Sequence, residues 1–278
     1  MSRGYNARRK TKRQEARVAA QSTPRARRLS PRRWVALAPV LLIAGTLAVV
    51  GILGFGAGNG VSKTQVDREV SALLDGIPQK GTVLGSPNAA VTLRMYADLE
   101  CPTVRLFVEN YLPSLVDTWV RTGTVKLDYR SLETDTSDEE VFFEQEIAAL
   151  AAARQDRMWN FALTFVREQG EPQTKYATDA FMSDIASQVP GLTTAKWHSD
   201  RSDALLSKRV ALDVYTAHQR GLRSTPSFLV SFAPGEPGVA STKKKLEASM
   251  GNILSSLQKE ASEDFPTLKS IGPTLVGG

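Results

Sequence analysis

Residues 84–102, LGSPNAAVTLRMYADLECP, decide how the chain is read. The segment Ala90–Asp98 is mostly apolar, as a buried strand would be. It runs into Asp98-Leu99-Glu100, and Cys101-Pro102 follow at once. Beyond them Leu106, Phe107, Tyr111, Leu112, Leu115, Val116 and Trp119 recur at helical spacing. Proline suits the first turn of a helix, where its missing N–H leaves nothing unpaired, so Pro102 marks a helix start. Cys101 therefore stands where a strand hands over to a helix. Free backbone N–H groups and the positive end of the helix dipole favour a thiolate there, and the thiolate is the nucleophilic form. Glu100, if ionised, opposes it. Cys101 is the only cysteine of the chain, so no internal disulfide can form. Such a thiol is either a reactive group or a small packed hydrophobe.

Working outward, Pro113 should kink the helix that begins at Pro102, and Thr122-Gly123 ends it. Val125–Tyr129 (VKLDY) reads as a second strand, parallel to the first because a helix separates them. Residues 139–169 read as helical, with an apolar face of Met158, Trp159, Phe161, Ala162, Phe165 and Val166 that fits a core stripe. Asp138-Glu139-Glu140 is a solvated helix start favoured by the dipole. Further helices fill 176–220, broken at Pro190-Gly191. Phe228–Ser231 is a short strand, and Thr242–Glu260 a last amphipathic helix. The order is that of an α/β domain with a helical insertion.

Upstream, Val66, Val70, Leu73, Leu74 and Ile77 suggest a short amphipathic helix, and residues 78–89 are rich in turn formers. The formal net charge of +6 is unevenly spread: residues 1–33 carry twelve Lys/Arg and one acid, so the rest of the chain is net −5. A mildly acidic folded part gives no electrostatic case for nucleic acid. From Trp34 to Ser62 there is no charged residue, and the apolar core of that stretch exceeds the roughly 20 residues that span a bilayer. A basic flank before an apolar span places the N-terminus in the cytoplasm. The span is too long for a cleaved signal peptide, so an uncleaved anchor is expected, with the rest of the chain outside the cell membrane. The organisation expected is a basic tail (1–33), a transmembrane helix (34–58), a linker and short helix (59–81), one domain (82–260, insertion about 138–220) and a C-terminal tail (261–278).

The quoted stretch resembles the lead-in and active-site strand of the DsbA-like thioredoxin-fold family of thiol-disulfide oxidoreductases. Residues 158–170, MWNFALTFVREQG, resemble that family's helical insertion, and residues 221–228, GLRSTPSF, its cis-proline segment. The resemblance implies a thioredoxin-like fold with an inserted helical subdomain. It implies that Cys101 is the exposed nucleophile, that Pro102 and Thr103 tune it, and that Thr225 and Pro226, joined by a cis peptide, lie against it and bind substrate backbone. The departure from the family's Cys-x-x-Cys is Val104, which stands where a resolving cysteine belongs. Without a second sulfur the dithiol–disulfide cycle is closed.

Two functions follow as expectations. One is monothiol exchange through mixed disulfides at Cys101, with another thiol or redox partner to resolve them. The other is a catalytically degenerate binding or chaperone-like module for extracytoplasmic proteins or peptides, using a groove beside Pro226. One cysteine and two separated histidines, His198 and His218, make a poor metal site, and no cofactor is read from the sequence.

Overall fold

The computed structural model describes residues 63–136, 138–171, 174–233, 239–265 and 273–277. The expected basic tail and membrane span lie outside the described residues. Within them no helix is long and apolar enough to cross a membrane.

Among the described residues the sheet has six strands in the order β1 (Gln79–Lys80), β2 (Val83–Leu84), β4 (Val125–Ser131), β3 (Val91–Ala97), β5 (Ser227–Phe232), β6 (Thr274–Gly277). Its centre is β3 (Val91–Ala97), parallel to β4 (Val125–Ser131) on one side and antiparallel to β5 (Ser227–Phe232) on the other. β3 buries Val91, Leu93, Met95, Tyr96 and Ala97, as its apolar sequence demands. The parallel pairing uses the expected crossover, built from α2 (Pro102–Asn110), α3 (Leu112–Leu115) and a π-helical turn, Val116–Val120. The break at Tyr111 lies just before Pro113, whose ring cannot continue the preceding ladder.

Two strands and one edge went beyond the sequence reading. Residues 78–89 carry a small antiparallel ladder, β1 (Gln79–Lys80) with β2 (Val83–Leu84), and β2 pairs with β4. Gly85 follows β2 with φ +114°, and a Cβ there would sit 3.0 Å from Val120 Cγ1 and 3.1 Å from the Val125 oxygen. Only glycine fits that close approach. The stretch expected to be a tail holds β6 (Thr274–Gly277), parallel to β5 at the sheet edge.

α1 (Lys63–Leu74) is the short amphipathic helix expected after the linker, and it buries Val66, Val70 and Leu74 in the main core. The insertion comprises α4 (Glu139–Ala153), α5 (Met158–Arg167), α6 (Asp179–Gln188), α7 (Thr194–Asp200) and α8 (Ala204–Gln219). The continuous helix expected over 139–169 is broken by a turn at residues 154–157, where Asp156 takes φ +56°. Asp138 caps α4 by accepting from the Glu140 N–H, a favoured N-cap role. α5 buries its expected apolar stripe. Its Trp159 donates to the Thr82 oxygen at 3.0 Å, and Trp197 of α7 donates to the Ala148 oxygen at 2.7 Å. Each indole thus buries its ring while satisfying its N–H. α9 (Val239–Asp264) buries Leu246, Met250, Leu254, Leu257 and Ala261 along one stripe. One apolar core runs from the sheet into the insertion. Within it Phe107 of α2 meets Phe228 of β5, ring centroids 5.1 Å apart.

Candidate active site

Cys101 is the N-cap residue of α2, with extended backbone, and Pro102 opens the helix. The Cys101 carbonyl accepts from the Arg105 N–H, the first helical bond. The Thr225–Pro226 peptide is cis. Cys101 Sγ donates to the Thr225 carbonyl oxygen at 3.6 Å, across 124 residues of sequence. The fold therefore brings Cys101, Pro102, Thr103, Val104, Thr225 and Pro226 to one place.

The site differs from the expected exposed nucleophile in being closed. Cys101 has no solvent-accessible surface, Thr225 none, and Thr103, Val104 and Pro226 are buried. Gln169, just beyond α5, donates to the carbonyls of Leu99 at 2.6 Å and Cys101 at 3.2 Å. The hydroxyls of Thr134 and Thr225 are 2.6 Å apart. These contacts come from the loop after β4 and the insertion, segments that no local pattern around Cys101 predicts.

Asp98 organises this closure. One of its carboxylate oxygens accepts from the N–H groups of Thr134, Asp135 and Thr136 at 2.9–3.0 Å. The other accepts from the Glu100 N–H, the Thr136 hydroxyl and Gln145 Nε2. A carboxylate so placed fastens the 134–136 loop over the end of β3. Sequence reasoning missed this role. The available signal was an acid directly after an apolar strand.

The electrostatics run against a thiolate. Burial, followed by the neighbouring Asp135 carboxylate, pushes the Cys101 thiol well above its ordinary value. Desolvation in a closed acidic site outweighs the helix N-terminus. Two further acids stand behind it. Burial and then Asp98 raise Glu100 to about 7. Glu146, on α4, is completely buried and raised to about 8, chiefly by burial; the Ser131 hydroxyl bonded to it at 2.7 Å and the Tyr129 hydroxyl at 3.0 Å pull the other way. Glu146 was also missed, although it falls on the Phe142–Ala149 side of α4, an apolar phase. Val104 packs in the core at 1% exposure and supplies shape where a second sulfur would stand. Among the described residues no cluster of His, Cys, Asp or Glu could hold a metal ion.

A parallel β3–β4 pair flanked by antiparallel β5, a cysteine opening α2, a cis-proline loop beside it and an inserted set of helices define a thioredoxin fold of the DsbA-like class. A family model described as Thioredoxin matches residues 78–232, more than half of the chain, and the protein belongs to that family. The chain is 20% identical over 154 residues to the Disulfide bond formation protein D of Bacillus subtilis (strain 168), spanning 54% of this chain and 67% of that protein. Among solved structures, oxidised BdbD from Bacillus subtilis aligns with TM-score 0.50 and 16% identity over 63% of this chain and 97% of that one. Wolbachia pipientis alpha-DsbA1 aligns with TM-score 0.49 and 17% identity over 66% and 95% of the two chains.

Proposed function

We propose that the protein is a membrane-anchored, extracytoplasmic member of the thioredoxin family that binds partner polypeptides and does not turn over disulfides by itself. The carrying observation is the state of Cys101: fully buried, with its thiol pushed well above its ordinary value. The thiol is neutral at pH 7 and serves as a donor to the Thr225 carbonyl, bracing the loop that holds Pro226. Val104 removes the sulfur that would complete a cycle. The basic residues 1–33 followed by the uncharged 34–62 support the anchor and the orientation, N-terminus cytoplasmic. In this reading an extended partner segment pairs beside Thr225–Pro226 once Gln169 and Thr134 move aside, a form of strand addition.

One observation favours the second reading, monothiol exchange. The thiol stands at the start of α2 and 3.6 Å from the carbonyl that precedes Pro226. Exchange there would have the Cys101 thiolate attack a partner disulfide, forming a mixed disulfide and releasing the partner's other sulfur as a thiolate. A further thiol would then be needed for release.

The two readings separate in one experiment. The full chain in detergent, and its Cys101→Ser variant, are incubated at pH 7 with glutathione disulfide and, separately, with an unfolded polypeptide that carries a disulfide. Binding without turnover predicts no glutathione adduct by mass spectrometry and equal retention of the polypeptide by both chains. A stoichiometric adduct, or retention lost in Cys101→Ser, overturns the proposal in favour of exchange.

A further inference from the structure

On the opposite face of the sheet from Cys101 lies a cavity of about 330 Å3 walled by β3, β4, β5 and α8. Strand alternation places it there. Leu93 and Met95 point into the main core, whereas Arg94 and Tyr96 point the other way. Register sets Arg94 beside Asp128 and Tyr96 beside Arg130. From α8, Arg209, Asp213 and Thr216 face the cavity at helical spacing, and Arg220 joins them from the helix end.

Of the four guanidinium groups at the cavity, Arg94, Arg130 and Arg209 meet two carboxylates, and Arg220 is the fourth. Asp128 takes Arg130 at 2.5 Å and Arg94 at 3.4 Å. Asp213 takes Arg209 at 3.1 Å and Arg130 at 3.4 Å. Both acids are thus shared, and both are buried. Arg220 is exposed and has no ion-pair partner among the described residues. The set holds a surplus of two positive charges. Guanidinium groups already fixed by carboxylates are preorganised forks, suited to bidentate recognition of an oxyanion. Leu212 and Leu229 add an apolar wall, and the volume suits a small metabolite.

We propose that this cavity is a binding site for a small organic phosphate, with Arg220 and Arg94 gripping the dianionic group and Leu212 and Leu229 covering its carbon skeleton. The ligand recognised is a phosphate monoester, whether free in solution or presented as a lipid headgroup. The site is independent of Cys101 and of the proposed function.

The test is thermal unfolding of the full chain in detergent micelles with glycerol 3-phosphate, against potassium chloride at equal ionic strength. The expected result is a saturable rise in midpoint of a few degrees. Arg220→Ala, which breaks no ion pair among the described residues, should weaken the apparent affinity about tenfold, and Arg220→Lys should restore part of it. If succinate stabilises at least as well as glycerol 3-phosphate, the phosphate assignment fails. If neither a salt nor phosphatidic acid in the micelles stabilises beyond chloride, or Arg220→Ala responds as the parent does, the site fails. Micelles doped with phosphatidic acid, compared with free glycerol 3-phosphate, assign the source: a response to the lipid alone identifies a headgroup, and a response to the free ester identifies a soluble ligand.

Discussion

Glu146→Gln should change the pH dependence of folding stability in a defined direction. Glu146 has no accessible surface and titrates near pH 8 in the fold, against an ordinary value of 4.5. A carboxyl raised by folding binds its proton more tightly folded than unfolded. Its stabilising contribution is complete below pH 4.5 and is lost as pH rises toward 8. The interval is about 3.5 pH units, and each is worth about 1.4 kcal/mol. The parent should therefore lose on the order of 4 kcal/mol between pH 5 and pH 8 through this group. Glu100, raised to about 7, and Asp213, raised to about 6, add losses of the same sign over narrower windows. The substituted amide keeps the shape, accepts from Tyr129 and offers an N–H to Ser131, but cannot ionise. Urea unfolding at pH 5, 6, 7 and 8 measures both chains. The variant's curve should be flatter than the parent's by most of that loss, and the variant should be the more stable at pH 8. Parallel curves would refute a buried, neutral Glu146.

Three further outcomes follow from the closed site. Gln169→Ala removes the two hydrogen bonds to the Leu99 and Cys101 carbonyls, so alkylation of the native thiol should accelerate about tenfold, read by mass spectrometry over time; an unchanged rate would place the barrier elsewhere. Asp98→Asn puts an N–H donor among the donors that now converge on the carboxylate, and denaturant unfolding should show a loss of about 3 kcal/mol; a neutral effect would contradict its role in fastening residues 134–136. Phe107→Ala empties a fully buried position against Phe228 and should cost about 3–5 kcal/mol in the same assay, with less than about 1 kcal/mol contradicting the packing described.

Strongly patterned local features were legible in the sequence. β3 followed from a mostly apolar run, α2 from Pro102 ahead of a helical repeat, and the parallel β4 from the helix between the strands. The Thr225–Pro226 segment was found by resemblance, and the structure places it against Cys101. Elements too short to carry a period were lost: two residues each in β1 and β2, and four in β6. The burial of the thiol was not legible for a different reason. A helix N-terminus is a local feature, visible in the sequence, and it favours ionisation. Burial by Gln169, Thr134 and Thr225, and the field of Asp135 and Asp98, come from residues distant in sequence or across a turn, and they reverse the sign.

Cys101 alkylation against pH tests the central claim most directly, using the full chain in detergent under native conditions and again in urea. A closed, neutral thiol predicts slow native labelling, with an apparent pKa above the ~8.5 of a free cysteine, and fast labelling with an ordinary pKa once unfolded. Rapid native labelling with a pKa below that reference would contradict the account and return Cys101 to the role of an exchange nucleophile.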